Sequence, residues 1–155
     1  MAKFADHPTY EVLQQDRGAH IVHDTENNIT SYVLFETPLQ LPSGLVEHAD
    51  TACLIMVKQV SDTEAVITVS NPDLALYRGE ADEIFADNGK RIERSIYSRP
   101  WISAESQEIP VRVTLRGHWN ITDNPACRII AANKHSTTIE IPCKDAASFD
   151  IRLTR

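Results

Sequence analysis

The 155-residue sequence predicts an all-β fold, an antiparallel sandwich of about nine strands, and three observations support this prediction. Apolar and polar residues alternate with a period of two, which is typical of strands that bury one face. Turn residues recur about every 8 to 12 positions, as they do in sandwiches. No segment of about a dozen residues carries the apolar stripe of a helix.

The alternation is clearest in residues 111–116, 138–143 and 149–153. Each of these segments is predicted to be a strand with one wet face. Pro142 predicts a sheet edge or a strand end within the second segment, because proline donates no hydrogen bond to a neighbouring strand. Trp119 follows the first segment and is predicted to lie in the core.

Two further segments, residues 52–57 and 65–69, are apolar at consecutive positions. They predict central strands that are covered on both faces. The turn-like residues 61–63 between them predict a hairpin.

Two asparagine-containing pairs predict further hairpins. Asn27-Asn28 connects two strand patterns, and Asn88-Gly89 supplies two residues that tolerate a positive φ. By contrast, prolines and a glycine interrupt residues 37–50, which are predicted to be a loop. Residues 71–107 predict a long irregular excursion from the sandwich that contains the second of these hairpins.

The length fits a single domain over residues 10–155, with residues 1–9 as the remnant of a linker. A net charge of −7 disfavours nucleic acid and anionic membranes as partners. No apolar run approaches the roughly 20 residues of a membrane helix. The N-terminus also lacks the pattern of a signal peptide, so we expect any export signal to lie upstream of these residues.

Cysteine and histidine patterns predict neither a metal site nor a catalytic centre. Cys53, Cys127 and Cys143 lack the short spacing of zinc ligands, and we predict buried free thiols, with one disulfide as the alternative. His20 and His23 would point to opposite faces of a strand. We therefore expect no catalytic residue, no metal and no cofactor.

A basic segment over residues 90–101 stands out, because it has a formal charge of +3 within an acidic chain. Arginine donors match carboxylate and sulfate oxygens, and aromatic faces can stack on sugar rings. The candidate glycan-contacting residues are Lys90, Arg91, Arg94, Tyr97, Arg99 and Trp101. In the alternative interpretation Trp101 fills the sandwich and the arginines pair with the acidic residues Glu80, Asp82, Glu83 and Asp87.

Several strings resemble the C-terminal β-domain of polysaccharide lyases of the chondroitin sulfate ABC lyase and hyaluronate lyase type. The clearest are YEVLQQDRGAHIVHD (residues 10–24) and NNITSYVLFE (27–36). TACLIMVKQV (51–60) with ITVSNPDLAL (67–76) resembles a central hairpin of that domain, and VRVTLRGHWN (111–120) resembles a later strand.

The resemblance implies an accessory domain of a secreted bacterial enzyme that cleaves chondroitin sulfate, dermatan sulfate or hyaluronan by β-elimination. The family's catalytic residues are expected in the domains upstream, which would be the partners of this domain, with the polysaccharide as a further contact. An apolar docking face would then be exposed, and such a face promotes self-association. The alternative is a stand-alone metal-binding sandwich or cupin-like protein that uses its surface histidines.

Overall fold

The computed structural model describes residues 9–36, 39–72, 84–85, 87–92 and 108–155. The regular secondary structure within these ranges consists of strands only. Two antiparallel sheets enclose one apolar core. The predicted antiparallel sandwich is therefore confirmed. The described residues form fourteen strands instead of about nine, and four of the fourteen have only two residues, too few to show an alternating pattern.

The larger sheet has seven strands, all paired antiparallel, and begins with the first strand of the chain. In spatial order they are β1 (Tyr10–Gln15), β2 (Ala19–Asp24), β3 (Ile29–Leu34), β6 (Cys53–Ser61), β7 (Glu64–Ser70), β14 (Ser148–Thr154) and β11 (Asn120–Ile121). The last strand of the chain, β14, therefore lies in the same sheet as the first, between β7 and the edge strand β11.

The smaller sheet has five strands, also antiparallel. In spatial order they are β12 (Arg128–Ala132), β13 (Ser136–Lys144), β10 (Glu108–Arg116), β5 (Val46–Ala49) and β4 (Leu39–Gln40). A separate two-stranded ladder joins β8 (Ile84–Phe85) to β9 (Arg91–Ile92). Pro142 lies beyond the point where β12 stops pairing with β13, which agrees with its predicted place at an edge or end.

The core lies between the two sheets because alternate residues of each strand point inward. The larger sheet contributes Ala19, Ile21, Tyr32, Leu34, Ile55, Val57, Ile67, Val69, Ile151 and Leu153. The smaller sheet contributes Val46, Ala49, Val111, Val113, Leu115, Ile139 and Ile141. Trp119 is 1% exposed, which confirms its predicted place in the core.

The three predicted hairpins are confirmed. Asn28 has a φ of 53° between β2 and β3, and residues 61–63 connect the paired strands β6 and β7. Gly89 has a φ of 74° between β8 and β9, where the Asn88 side chain accepts a hydrogen bond from the Lys90 backbone N–H at 2.9 Å. Each hairpin follows from local turn chemistry.

The predicted loop over residues 37–50 is wrong in part, because β4 and β5 form there. β5 pairs with β10 in the middle of the smaller sheet, and Val46 and Ala49 are fully buried. Proline and glycine flank this short strand and hide its pattern, whereas its pairing with β10 is a long-range contact that no local pattern reports.

The prediction that β6 and β7 are covered on both faces is also wrong for this chain. They are central strands, as predicted, but only their inward residues are buried. On the outward face of β6, Leu54 is 40% exposed and Met56 is 44% exposed. The described residues contain no helix long and apolar enough to cross a membrane.

Candidate functional site

The outward face of the larger sheet carries a group of apolar side chains on β1, β2, β3 and β6, with the polar residues His20, Asp24, Ser31 and Lys58 between them. Alternation and register place the same kind of side chain on adjacent strands: Val12 lies opposite Val22, and Val33 lies opposite Leu54. We call this surface the apolar outer face, and it consists of Tyr10, Val12, Val22, Val33, Phe35, Leu54 and Met56.

Phe35 is held in place on this surface. Its ring contacts the ring of His20 edge to face, with 5.1 Å between the ring centroids. Phe35 nevertheless remains 51% exposed, and Tyr10 at the other end of the surface remains 56% exposed. Monomeric proteins rarely expose contiguous apolar patches of more than a few hundred Å², and larger ones commonly mark interaction surfaces.

The same side of the sheet becomes polar beyond β6. Thr68 and Ser70 on β7 lie opposite Asp150 and Ser148 on β14. The Thr68 hydroxyl donates a hydrogen bond to the Asp150 carboxylate at 2.7 Å. Beyond β6 the outward side therefore carries mostly hydroxyl and charged side chains, although Val66 on β7 also points outward, opposite Lys58.

The outward face of the smaller sheet is charged. Glu140 on β13 accepts hydrogen bonds from Arg112 on β10 at 2.9 Å and from Arg128 on β12, whose Nε also lies 2.9 Å away. These bonds, first from Arg128 and then from Arg112, lower the pKa of the Glu140 carboxyl below its ordinary value. Beside this cluster the hydroxyls of Thr114 and Thr138 are 3.0 Å apart and share a hydrogen bond.

One end of the sandwich is fixed by two arginines. The Arg116 guanidinium donates to the backbone carbonyls of Gly44 at 2.6 Å and Val46 at 2.9 Å, and also to that of Leu41. The Arg155 guanidinium lies over the Trp119 ring, 4.4 Å from its centroid, where a cation–π interaction holds it. These arginines serve the packing of the sandwich.

The predicted glycan-contacting residues lie mostly outside the described residues. This applies to Arg94, Tyr97, Arg99 and Trp101, and also to the acidic partners Glu80, Asp82 and Glu83 of the alternative interpretation. The side chain of Asp87 is exposed beside the hairpin. Lys90 is exposed where the Asn88-Gly89 turn ends, and Arg91 begins β9. Neither interpretation of the segment is decided by these positions.

The histidines and thiols of the described residues form no reactive group. His20 and His23 point to opposite faces of β2, as predicted, and the His23 Nδ1 lies 3.0 Å from the Thr30 hydroxyl. No group of three or more histidine, cysteine or acidic side chains within the described ranges could hold a metal ion.

All three cysteines are free and buried, as predicted. Burial raises the pKa of the Cys53 thiol to about 12 and that of Cys127 to about 11. Burial also raises the pKa of Cys143. Thiols in this state are almost fully protonated at neutral pH and are poor nucleophiles and metal ligands.

Sequence reasoning did not identify the apolar outer face residue by residue. Its signal was present in the consecutive apolar residues 52–57, which imply an apolar neighbour on each side of the strand. The pairing of Glu140 with Arg112 and Arg128 had no signal in the sequence, because it depends on the register of three strands.

Comparisons with known proteins agree with this architecture. Residues 11–76 match the family described as polysaccharide lyase family 8, C-terminal beta-sandwich domain. The chondroitin sulfate ABC exolyase of Bacteroides thetaiotaomicron is 53% identical over 156 residues, which cover 100% of this chain and 15% of that protein. The chondroitin sulfate ABC exolyase of Proteus vulgaris is 35% identical over 116 residues, 74% of this chain and 12% of that protein.

A solved structure supports the same fold at low sequence identity. A Paenibacillus xanthan lyase superimposes with a TM-score of 0.61 and 12% identity, over 95% of this chain and 11% of that one. The chain thus spans about 15% of the length of the relative that it matches throughout. With the family match, the full-length 53% identity and the shared sandwich together, the chain belongs to the C-terminal β-sandwich domains of the polysaccharide lyases.

Proposed function

We propose that this chain is the non-catalytic accessory domain of a secreted lyase that cleaves chondroitin sulfate, dermatan sulfate or hyaluronan by β-elimination. Its task is to pack on the preceding domains of the enzyme and to brace them. The observation that carries this proposal is the full-length match to 15% of a chondroitin sulfate ABC exolyase, together with the family's description as a C-terminal domain.

The chemistry of the described residues supports an accessory task. β-Elimination requires a base for the proton next to the sugar carboxylate, a group that neutralises that carboxylate and an acid for the leaving oxygen. Such groups should be close to one another and open to a polymer. The thiols here are sealed in the core, and Glu140 is already bound by two arginines.

Turnover by the purified 155-residue chain tests the proposal directly. We expect no unsaturated product from chondroitin sulfate, dermatan sulfate or hyaluronan, as monitored by the ultraviolet absorbance of the new double bond. The lyase polypeptide that contains this chain serves as the positive control under the same conditions. Turnover by the chain alone, at a rate that survives repurification, would refute the accessory role.

A second proposal is that the basic segment contacts the polysaccharide. It is favoured by the local charge of +3 with two interleaved aromatic residues, and by the exposure of Lys90 after the hairpin. Arginines select sulfate and carboxylate oxygens, whereas Tyr97 and Trp101 would stack on sugar rings. A short site of this kind binds weakly, with a Kd of about 0.1–1 mM.

A backbone amide NMR titration of the chain with a chondroitin sulfate tetrasaccharide tests this contact. We expect saturable shifts that cluster on residues 90–101 and that are lost after Arg99→Ala combined with Trp101→Ala. Arg152→Ala, which removes an exposed arginine from β14, is the matched control and should leave the shifts unchanged. Shifts that persist in the double variant would remove the proposed site.

A further inference from the structure

We propose that a cleft at one end of the sandwich binds a single uncharged sugar ring. The cleft has a volume of about 280 Å³ and lies between the ends of β2, β3 and β6 and the connection that precedes β5. We call it the end cleft. The inference goes beyond the proposed accessory function, because bracing other domains does not require a ligand site, and it concerns none of the residues of the basic segment.

The first argument is a change from apolar to polar residues on the inward side of the larger sheet. Ile21, Tyr32 and Ile55 are paired across β2, β3 and β6, and all three are buried. In the next inward row along these strands, His23 lies opposite Thr30, and both are half-buried. Folding alone favours apolar side chains at inward positions, so polar ones there indicate a functional requirement.

The second argument is that the polar side chains of the end cleft keep hydrogen-bonding groups for a ligand. The His23 Nδ1 lies 3.0 Å from the Thr30 hydroxyl, and this contact orients the ring and leaves Nε2 for another partner. The side-chain amide nitrogens of Asn28 and Gln59 donate to backbone carbonyls, so their amide oxygens remain as acceptors. The end cleft thus offers two carboxamide oxygens and one ring nitrogen, and sugar hydroxyls can donate to such acceptors.

The third argument is the apolar wall beside these polar groups. Leu13, Leu45 and Val57 line the end cleft together with them. Leu13 is the extra residue of a β-bulge, since Val12 and Gln14 pair with consecutive residues of β2. Bulges re-aim side chains and are frequent next to functional sites. An apolar wall with a few polar groups is typical of a ligand site, and here it would contact the carbon-bound hydrogens of a sugar ring.

Charge and size define the class of ligand. None of the described residues that line the end cleft is a lysine, an arginine or an acid. An anionic sugar would therefore lose hydration there without gaining a partner of opposite charge. Ligand pockets commonly have volumes of about 300–1,000 Å³, so a cleft of about 280 Å³ suits one ring and not a buried chain of several.

A backbone amide NMR titration of the 155-residue chain with methyl β-D-galactopyranoside tests the proposal. This probe is an uncharged single ring with four hydroxyl groups. We expect saturable shifts that cluster on the amides of His23, Thr30, Leu45 and Gln59, with a Kd of about 1–10 mM. The amides of residues 128–132 on the other sheet serve as the internal reference and should not shift.

Matched variants on the two faces of β2 locate the contact. His23→Phe keeps an aromatic ring but removes the ring nitrogens, and it should weaken binding at least about fivefold. His20→Phe makes the same change on the opposite face of the strand and should leave the Kd unchanged. Thr30→Val, which removes the hydroxyl that orients His23 with little change of shape, is the second variant and should also weaken binding.

A charged probe tests the ligand class, since methyl β-D-galacturonide has the same ring with a carboxylate in place of one hydroxymethyl group. It should bind at least about fivefold more weakly, and binding as tight as that of the uncharged glycoside would overturn the class. Shifts that do not saturate, or an unchanged Kd in both His23→Phe and Thr30→Val, would overturn the site. Turnover does not enter these measurements, so the accessory function and the end cleft can fail independently.

Discussion

The two outward faces of the sandwich differ although both cover the same core. On the larger sheet, the outward side of β1 to β6 presents aliphatic and aromatic side chains such as Phe35, Leu54 and Met56. On the smaller sheet, the outward side of β10, β12 and β13 presents a glutamate bound by two arginines, and a pair of threonines. Most of these strands bury their inward residues, but β1 and β12 contain no buried residue.

The difference separates what the fold requires from what it does not. Folding requires apolar residues on the inward side of each sheet, and both sheets meet this requirement. The charged face of the smaller sheet can remain exposed to water and needs no partner to cover it. We expect the apolar outer face to add little to the stability of the isolated domain, because its side chains remain partly exposed to water.

Thiol reactivity gives the largest expected effect and tests the sealed interior that both faces enclose. The pKa of Cys53 is raised from 9.0 to about 12, which lowers its thiolate population about a thousandfold at neutral pH. In the native chain we expect Ellman's reagent to label the thiols at least about a hundredfold more slowly than in denaturant. Cys127, which is 6% exposed, should be the first to react.

Fast labelling of all three thiols in the native chain would contradict this prediction. It would mean that the interior opens readily to solvent. The exposure values on which the comparison of the two faces depends would then not describe the protein in solution.

Three consecutive residues of β6 test the two sides of the larger sheet against each other. Ile55 points inward and is 2% exposed, so Ile55→Ala should lower the free energy of unfolding by about 2–5 kcal/mol. Leu54→Lys and Met56→Lys should each change it by no more than about 0.5 kcal/mol. Urea unfolding of the isolated chain measures all three, and a loss at position 54 or 56 similar to that at 55 would show that the outward face stabilises the domain by itself.

The sequence predicted most of the fold where the signal was local. The hairpin turns at Asn28 and Gly89 need a positive φ, and both residues adopt one. Trp119 was predicted in the core because it follows a well-patterned strand, and it is buried. β5 was missed, because its strand forms through pairing with β10 more than sixty residues later in the chain.

The candidate sites were harder to predict, for two physical reasons. The apolar residues 52–57 indicate a strand with apolar side chains on both faces. They do not indicate what, if anything, covers the outward face. The Glu140 cluster depends on the register of three strands, which a one-residue slip would abolish. The basic residues Arg94 and Arg99 were chosen for the local charge, the donors of arginine and the interleaved aromatic residues, and they lie outside the described residues.

Gly44 tests the end where the two sheets meet. It has a φ of 80°, and a Cβ there would clash with the Tyr32 hydroxyl, which comes from the larger sheet. Gly44→Ala should therefore lower the free energy of unfolding by about 2–4 kcal/mol, through backbone strain and overpacking together. Gly89→Ala is the matched control, because its φ is 74° but the added Cβ meets open space.

For Gly89→Ala we expect strain alone, with a loss of about 1 kcal/mol. Thermal unfolding of both variants distinguishes the two contributions. Equal losses would mean that the contact with Tyr32 does not constrain the turn, and that the end of the sandwich is looser than its burial indicates.

The smallest effect is expected at Glu140, on the charged face. Because its folded pKa is lowered from 4.5, its contribution to stability is present above pH 4.5 and is lost as the pH falls through the lowered value. Glu140→Gln should therefore be less stable than the unmodified chain at neutral pH, and the difference should shrink in acid. Glu108→Gln, an exposed position on β10, controls for the loss of one negative charge. If the difference at Glu140 stayed constant between pH 7 and about pH 3, the ion pairs with Arg112 and Arg128 would not be its cause.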